Sequence, residues 1–225
     1  MRMRSLHVGL FLILGSTSAL ADGYVDLAAG ATYGRYRATT VHEEASGGGG
    51  VVSTFTKKKS GSAVGAAIAL HAGYRTHGLQ LGGVVRFARY SMELPDIDVI
   101  DDRNGRRIDV EPPYTTSITT TAIGPAIGYE HRGWFVRAEL GVGKLELGDQ
   151  PCLCFARTDL RDVVTAGAEV GYQQYVSHDW ALAPVATVNG TWAEVSDQID
   201  FLDTFDTHAR MVELAVMASL VYQPR

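Results

Sequence analysis

After its first 21 residues the chain has no apolar run long enough to cross a bilayer as a helix. Every later stretch is broken by Gly, Thr or a charge well short of the roughly 20 residues that a spanning helix requires. Cysteine is nearly absent: Cys152 and Cys154 are the only two, which excludes a metal site built on clustered cysteines. Positive charge is in deficit, with 20 Lys and Arg against 25 Asp and Glu, so the electrostatic footprint of a nucleic-acid binder is missing. No Pro/Ser-rich linker or shift of composition divides the sequence, which leaves a single domain as the expectation.

The opening segment, MRMRSLHVGLFLILGSTSALA, places Arg2 and Arg4 before an apolar run from Val8 to Leu14 and closes on Ala19-Leu20-Ala21. That order is a secretory signal peptide, expected to be removed after Ala21. The mature chain, 22–225, then carries a formal charge of −7, because the removed segment takes two Arg and no acid from the total of −5. An exported chain without a spanning helix is periplasmic, fully secreted, or a β-barrel in an outer membrane. Periodicity decides among these.

From Tyr24 to Tyr36 the odd positions Val25, Leu27, Ala29, Ala31 and Tyr33 are apolar, and the even positions Asp26, Ala28, Gly30, Thr32 and Gly34 are small or polar. Alternation of this kind is a strand with one face in an apolar medium. Residues 64–75 repeat it, with Val64, Ile68, Leu70 and Tyr74 opposite His71, Gly73 and Arg75. Residues 79–90 place Leu79, Leu81, Val85 and Phe87 opposite Gln80, Arg86 and Tyr90, and residues 119–130 place Ile123, Ile127 and Tyr129 opposite Gly128 and Glu130. Residues 134–143 set Trp134, Val136 and Leu140 against Arg137 and Glu139, while residues 164–175 set Val164, Val170 and Tyr172 against Glu169, Gln173 and Tyr175. Residues 180–192 alternate less clearly, and 212–222 close the series with Leu214, Val216 and Leu220 opposite Glu213 and Ser219. Eight strands are predicted.

Their connections sort by length. Thr76-His77-Gly78, His131-Arg132-Gly133 and Ser177-His178-Asp179 are tight turns, whereas 37–61, 92–116, 145–161 and 194–209 are long and polar. Short turns at one end and long loops at the other are the pattern of a transmembrane barrel, with the turns in the periplasm. Tyr74, Tyr129, Trp134, Tyr172, Trp180 and Tyr222 share the apolar parity and lie at the short-turn end, as a periplasmic aromatic girdle would; Tyr33, Phe87 and Trp192 form a sparser outer one. Signal peptide, eight alternating strands and loop asymmetry together resemble the small outer-membrane barrels of the OmpA, OmpX and opacity-protein group, over essentially the whole mature chain. The resemblance implies an eight-stranded antiparallel barrel in a bacterial outer membrane. It departs at the C-terminus, where Tyr222 is followed by Gln223-Pro224-Arg225 although such barrels usually end on an aromatic residue.

With eight strands the interior is only wide enough for side chains to fill it, so inward polar groups must satisfy one another. The inward set is His71, Arg75, Arg86, Glu130, Arg137, Glu139, Glu169, Gln173 and Glu213. Because an unpaired buried charge costs several kcal/mol, these residues are expected to form a charge network that closes the lumen. A narrow solute pore is the alternative. An enzyme acting on lipid A ranks third, since no nucleophile accompanies His71 at a useful spacing and His178 falls in a turn. No catalytic residue, metal or cofactor is expected, and the foreseen partners are outer-membrane lipid and lipopolysaccharide, bound by a monomer.

Smaller motifs carry less. Cys152-Leu153-Cys154 permits a small-ring disulfide or two separate thiols. DIDVIDDRNGRRIDVE has acidic spacing reminiscent of a calcium loop, but Ile100 would occupy the first ligand position, so a hairpin turning at Asn104-Gly105 is the better reading. Asn189-Gly190-Thr191 matches a glycosylation sequon inside a strand. The GGGG run at 47–50 with Lys57-Lys58-Lys59 reads as a mobile loop. The acidic segment 194–208, interleaved with Ile199, Phe201, Leu202 and Phe205, offers ligands for divalent cations shared with lipopolysaccharide, an apolar contact for an unidentified partner, or packing of the loops on one another.

Overall fold

A computed structural model describes residues 23–45, 51–95, 97–101, 105–111, 113–148, 159–200 and 203–224. The signal peptide, the two cysteines and Asn104 lie outside the described residues. In chain order the strands are β1 (Gly23–Ala45), β2 (Val51–Thr76), β3 (Leu79–Leu94), β4 (Ile97–Asp101), β5 (Arg106–Glu111), β6 (Tyr114–His131), β7 (Trp134–Leu147), β8 (Asp159–Tyr172), β9 (Gln174–Tyr175), β10 (Trp180–Asp200) and β11 (Asp203–Tyr222). Eight of them close an antiparallel ring in the order β1-β11-β10-β8-β7-β6-β3-β2, and β2 returns to β1. Closure leaves the ring without an open edge, so within it the backbone polar groups pair with neighbouring strands rather than with water.

The alternation seen in the sequence becomes two surfaces. Outward positions such as Leu27, Ile68, Phe87, Ile127, Leu140, Val170, Leu182 and Val216 are exposed apolar side chains on every stave of the ring. A continuous exposed apolar band of this extent is what a bilayer covers, and no helix among the described residues is long and apolar enough to cross one. The barrel therefore reads as crossing with its strands.

At the short-turn end the expected turns form. His77 and Gly78 have φ of 49° and 87°, Arg132 and Gly133 of 52° and 85°, so both hairpins have two consecutive left-handed residues, as type I′ turns require. Glycine suits the second position because a Cβ at Gly78 would press on the Glu130 carbonyl. At the third turn both Val176 and Ser177 donate their N–H groups to the Trp180 carbonyl, at 2.9 and 3.2 Å. The aromatic ring sits here: Trp134 packs on Tyr172 with centroids 5.2 Å apart, Trp180 on Tyr222 at 4.9 Å, and Tyr129 is exposed beside them. Tyr74 pairs with Gly23 on the same rim. Tyr33, Phe87 and Trp192 are exposed toward the other end.

Three expectations change. The stretches taken as long loops are largely strand among the described residues: β1 runs to Ala45, β2 begins at Val51, β10 reaches Asp200 and β11 begins at Asp203. Thr40 pairs with both Lys57 and Thr207, which shows β1 still hydrogen-bonded on both sides there. The physical reason is that ATTV on β1 and STFT on β2 are rich in β-branched residues, whose strand preference does not require a buried face. The segment 97–111 is indeed a hairpin, with Gly105 at φ 65° donating its N–H to the Asp101 carbonyl at 2.8 Å, but it is not simply solvated: β4 pairs with Phe55, Thr56 and Lys57 of β2. The strand expected from 164 to 175 is also interrupted. β8 ends at Tyr172, Gln173 gives its N–H to the Gly133 carbonyl, and β9 resumes the pairing with β10.

Candidate functional site

The lumen holds the chemistry. Strand alternation turns one side chain in two inward, and the ring order fixes which strands face each other: β7 lies four places from β1, β3 four from β10, and β2 four from β8. Three contacts join these diametric pairs. Arg137 Nη1 on β7 meets Asp26 Oδ2 on β1 at 2.5 Å; Arg86 Nη2 on β3 donates to Thr187 Oγ1 on β10 at 3.3 Å; His71 Nε2 on β2 lies 3.8 Å from Glu169 Oε2 on β8.

Around these, the contacts form one connected network. Nearest the short turns, Arg75 binds Glu130 at 2.9 Å, Gln80 donates to the same carboxylate at 3.3 Å, and Arg137 Nε donates to Gln80 Oε1 at 2.7 Å. Arg137 Nη1 also bonds Glu169 Oε1 at 2.6 Å, and its guanidinium stacks 4.4 Å from the Phe135 ring centroid and 5.4 Å from that of Tyr24. Ser219 donates to the second oxygen of Asp26. One level further, His71 Nε2 lies 3.4 Å from Glu139, Arg86 lies 3.9 Å from Glu139 and bonds Glu213, and Glu213 further accepts from Tyr90 and, at 2.9 Å, from Asn189. All eight staves contribute at least one member. Glycine makes the room: a Cβ at Gly128 would collide with the Arg137 side chain, and one at Gly167 with Asn189 and Glu139.

The structure thus brings together His71, Arg75, Arg86, Glu130, Arg137, Glu139, Glu169 and Glu213. Gln173 is buried but stands apart, accepting from Tyr175 at 3.0 Å. Asn189 is buried in the network, where a glycan could not be attached. Sequence reasoning left out Asp26, Gln80, Tyr24, Phe135, Tyr90, Asn189 and Ser219. Parity was signal enough for Asp26 and Gln80; a residue without charge, such as Phe135, offers no signal of its own.

Asp26, His71 and Glu169 each present a donor atom, and the three lie within 4.8 Å of one another, so these are the described residues that could hold a metal ion. Arg137 already bonds one oxygen of Asp26 and one of Glu169, which puts a guanidinium in the position of the cation such a site would serve. Four carboxylates, Asp26, Glu139, Glu169 and Glu213, face two guanidiniums, Arg86 and Arg137, in this part of the lumen. His71, fully buried, makes no hydrogen bond through either ring nitrogen and supplies a third positive charge only when protonated.

Beyond the network the lumen changes character. Toward the end with the longer strand extensions it is filled by Tyr36, Met92, Ile118, Leu145 and Met211, each almost completely buried, packed with Ala63, Ala67 and Ala88. Charge gives way to hydrocarbon within the same eight staves.

No protein-family model matches the chain, and no curated protein matches it by sequence. Among solved structures it is similar to Neisserial surface protein A, at 16% identity and TM-score 0.42 over 87% of this chain and 98% of that one. It is similar to the outer membrane protein OprG from Pseudomonas aeruginosa at 10% identity and TM-score 0.42, over 86% and 96%. The outer membrane protease OmpT from Escherichia coli is a third, at 12% identity and TM-score 0.40, over 90% and 96%.

Proposed function

We propose that this chain is a monomeric outer-membrane barrel of a Gram-negative bacterium, exported by removal of residues 1–21, whose lumen is closed and whose role is structural: an envelope component that presents its long strand extensions outside the cell. The observation that carries this reading is the set of contacts across the full diameter, Arg137 to Asp26, Arg86 to Thr187 and His71 to Glu169. Side chains that meet across the middle of an eight-stranded ring, whose interior is only wide enough for side chains to fill, support a lumen obstructed at this level. The apolar plug of Tyr36, Met92, Ile118, Leu145 and Met211 adds a second, independent barrier.

The same geometry speaks against catalysis. An acyl-transferring or hydrolytic site needs a nucleophile within hydrogen-bond reach of a base, open to lipid or to the rim. His71 is fully buried and bonds no hydroxyl. Reconstitution into liposomes tests the reading: the inserted barrel should leave osmotic swelling in small sugars at the rate of empty vesicles, and lipid A from overexpressing cells should keep its mass. Sugar-dependent swelling would overturn the closed lumen; an altered lipid A mass abolished by His71→Ala would overturn the structural role.

A further inference from the structure

The apolar band ends, toward the extended side, at Tyr33, Phe87 and Trp192, and the next outward positions on three staves are arginines. Arg35 and Arg37 follow Tyr33 on β1, Arg89 follows Phe87 on β3, and Arg210 follows Val212 on β11; all four are exposed. Arg37 and Arg210 stand directly opposite each other in the β1–β11 register. Like charges so placed repel and destabilise a sheet unless an anion lies between them. None of the four side chains makes a hydrogen bond or ion pair with a described residue. Three of the four cations stand on the adjacent staves β11 and β1, and Arg89 stands on β3 beyond β2; among the described residues no carboxylate lies within ion-pair distance of any of them.

Beside Arg35 the wall opens. The pairing of β2 with β3 ends at Ser62 and Glu93, and further along β2 pairs with β4 instead. The divergence leaves an outward cleft of about 830 Å³ lined by Arg35, Ser60, Ser62, Ser91, Glu93 and Thr115 among others. With Tyr114 the lining offers one guanidinium, five hydroxyls and one carboxylate, just beyond the outer aromatic residues, as donors for a phosphate and partners for sugar hydroxyls.

We infer that this face binds the phosphorylated sugar headgroup of a glycolipid in the outer leaflet, with Arg35, Arg37, Arg89 and Arg210 on its phosphates and the cleft at Ser60, Ser62 and Ser91 on its sugar. The inference rests on the outer-membrane reading above. Two ligand parts match two parts of the surface: the arginine cluster answers charge, and the cleft answers hydroxyls. Phosphatidylglycerol, which offers charge without a sugar ring pair, would satisfy only the first.

The test uses the full mature barrel inserted in phosphatidylcholine vesicles doped separately with bis-phosphorylated lipid A, with dephosphorylated lipid A, and with phosphatidylglycerol, with co-purified lipid counted by native mass spectrometry. Bis-phosphorylated lipid A should be retained over the dephosphorylated form by about ten-fold or more. The quadruple variant R35Q/R37Q/R89Q/R210Q should lose that preference, and Lys144→Gln, whose residue pairs with Glu146 on a distant stave, should keep it. Ser62→Trp, which fills the cleft without changing charge, should bring lipid A down to the level of phosphatidylglycerol. Equal retention of phosphorylated and dephosphorylated lipid, or a quadruple variant that binds like the native protein, would overturn the proposal. Heat-modifiable migration on a gel reports insertion of each variant. A native chain that inserts in no vesicle indicts the outer-membrane reading; one that inserts without lipid preference indicts this inference alone.

Discussion

The two halves of the lumen solve one packing problem with opposite chemistry. From Arg75 to Glu213 the interior is charged and every stave lends a hydrogen-bonding group; from Tyr36 to Met211 it is a hydrocarbon core of the kind found in soluble domains. The difference follows from how specificity and stability trade. A bonded guanidinium fixes two strands in one relation, since Arg137 satisfies Asp26, Glu169 and Gln80 only in one register. Apolar side chains fix less but leave nothing uncompensated when they shift. The charged half also stands inside the apolar outer band, where no water can rescue a broken pair, whereas the apolar half extends beyond Tyr33 and Phe87 toward solvent.

Breaking the charged half should cost most. Arg137→Met leaves Asp26 and Glu169 buried without their cation and should destabilise the barrel by about 3–5 kcal/mol, measured by urea unfolding in lipid. Replacing Arg137, Asp26 and Glu169 together by apolar residues of similar volume should return stability to within about 1 kcal/mol of the native protein, or exceed it. A triple variant as unstable as the single one would mean that packing, not charge, holds this half. In the apolar half, Met211→Ala should lose about 2–4 kcal/mol and Met211→Leu under about 1.5 kcal/mol by the same assay, since only the first opens a cavity.

Tyr90 sharpens the boundary, because its ring belongs to the apolar half and its hydroxyl donates to Glu213. Tyr90→Phe keeps the ring and should cost about 1.5–3 kcal/mol, the worth of a hydrogen bond to a charged group. The smallest effect belongs outside the lumen: Trp134→Leu keeps most of the apolar area but loses the ring contact with Tyr172, for about 0.5–1.5 kcal/mol.

How far the sequence could be read follows the same division. Where one face is oily and the other charged, as at Trp134-Phe135-Val136-Arg137-Ala138-Glu139, period two is plain and both the strand and the inward charges were legible. Where both faces are apolar or both polar, the alternation vanishes. Tyr36, Met92, Ile118, Leu145 and Met211 all lie at or just beside the edges of stretches that looked like loops, so the apolar half of the lumen went unseen. Cross-diameter partners were also beyond reach: adjacency along the ring can be guessed from strand order, but which residue of β7 meets which of β1 depends on the stagger of all the strands between them. Thus Arg137 and Glu169, on neighbouring staves, could be paired from the sequence, and Arg137 with Asp26 could not.

The closed lumen is tested most directly by recording ion current through the native barrel in a planar bilayer. The cross-diameter contacts of Arg137, Arg86 and His71 predict a silent membrane after insertion. Steady current steps whose ion selectivity shifts when Arg137 or Glu139 is neutralised would contradict it.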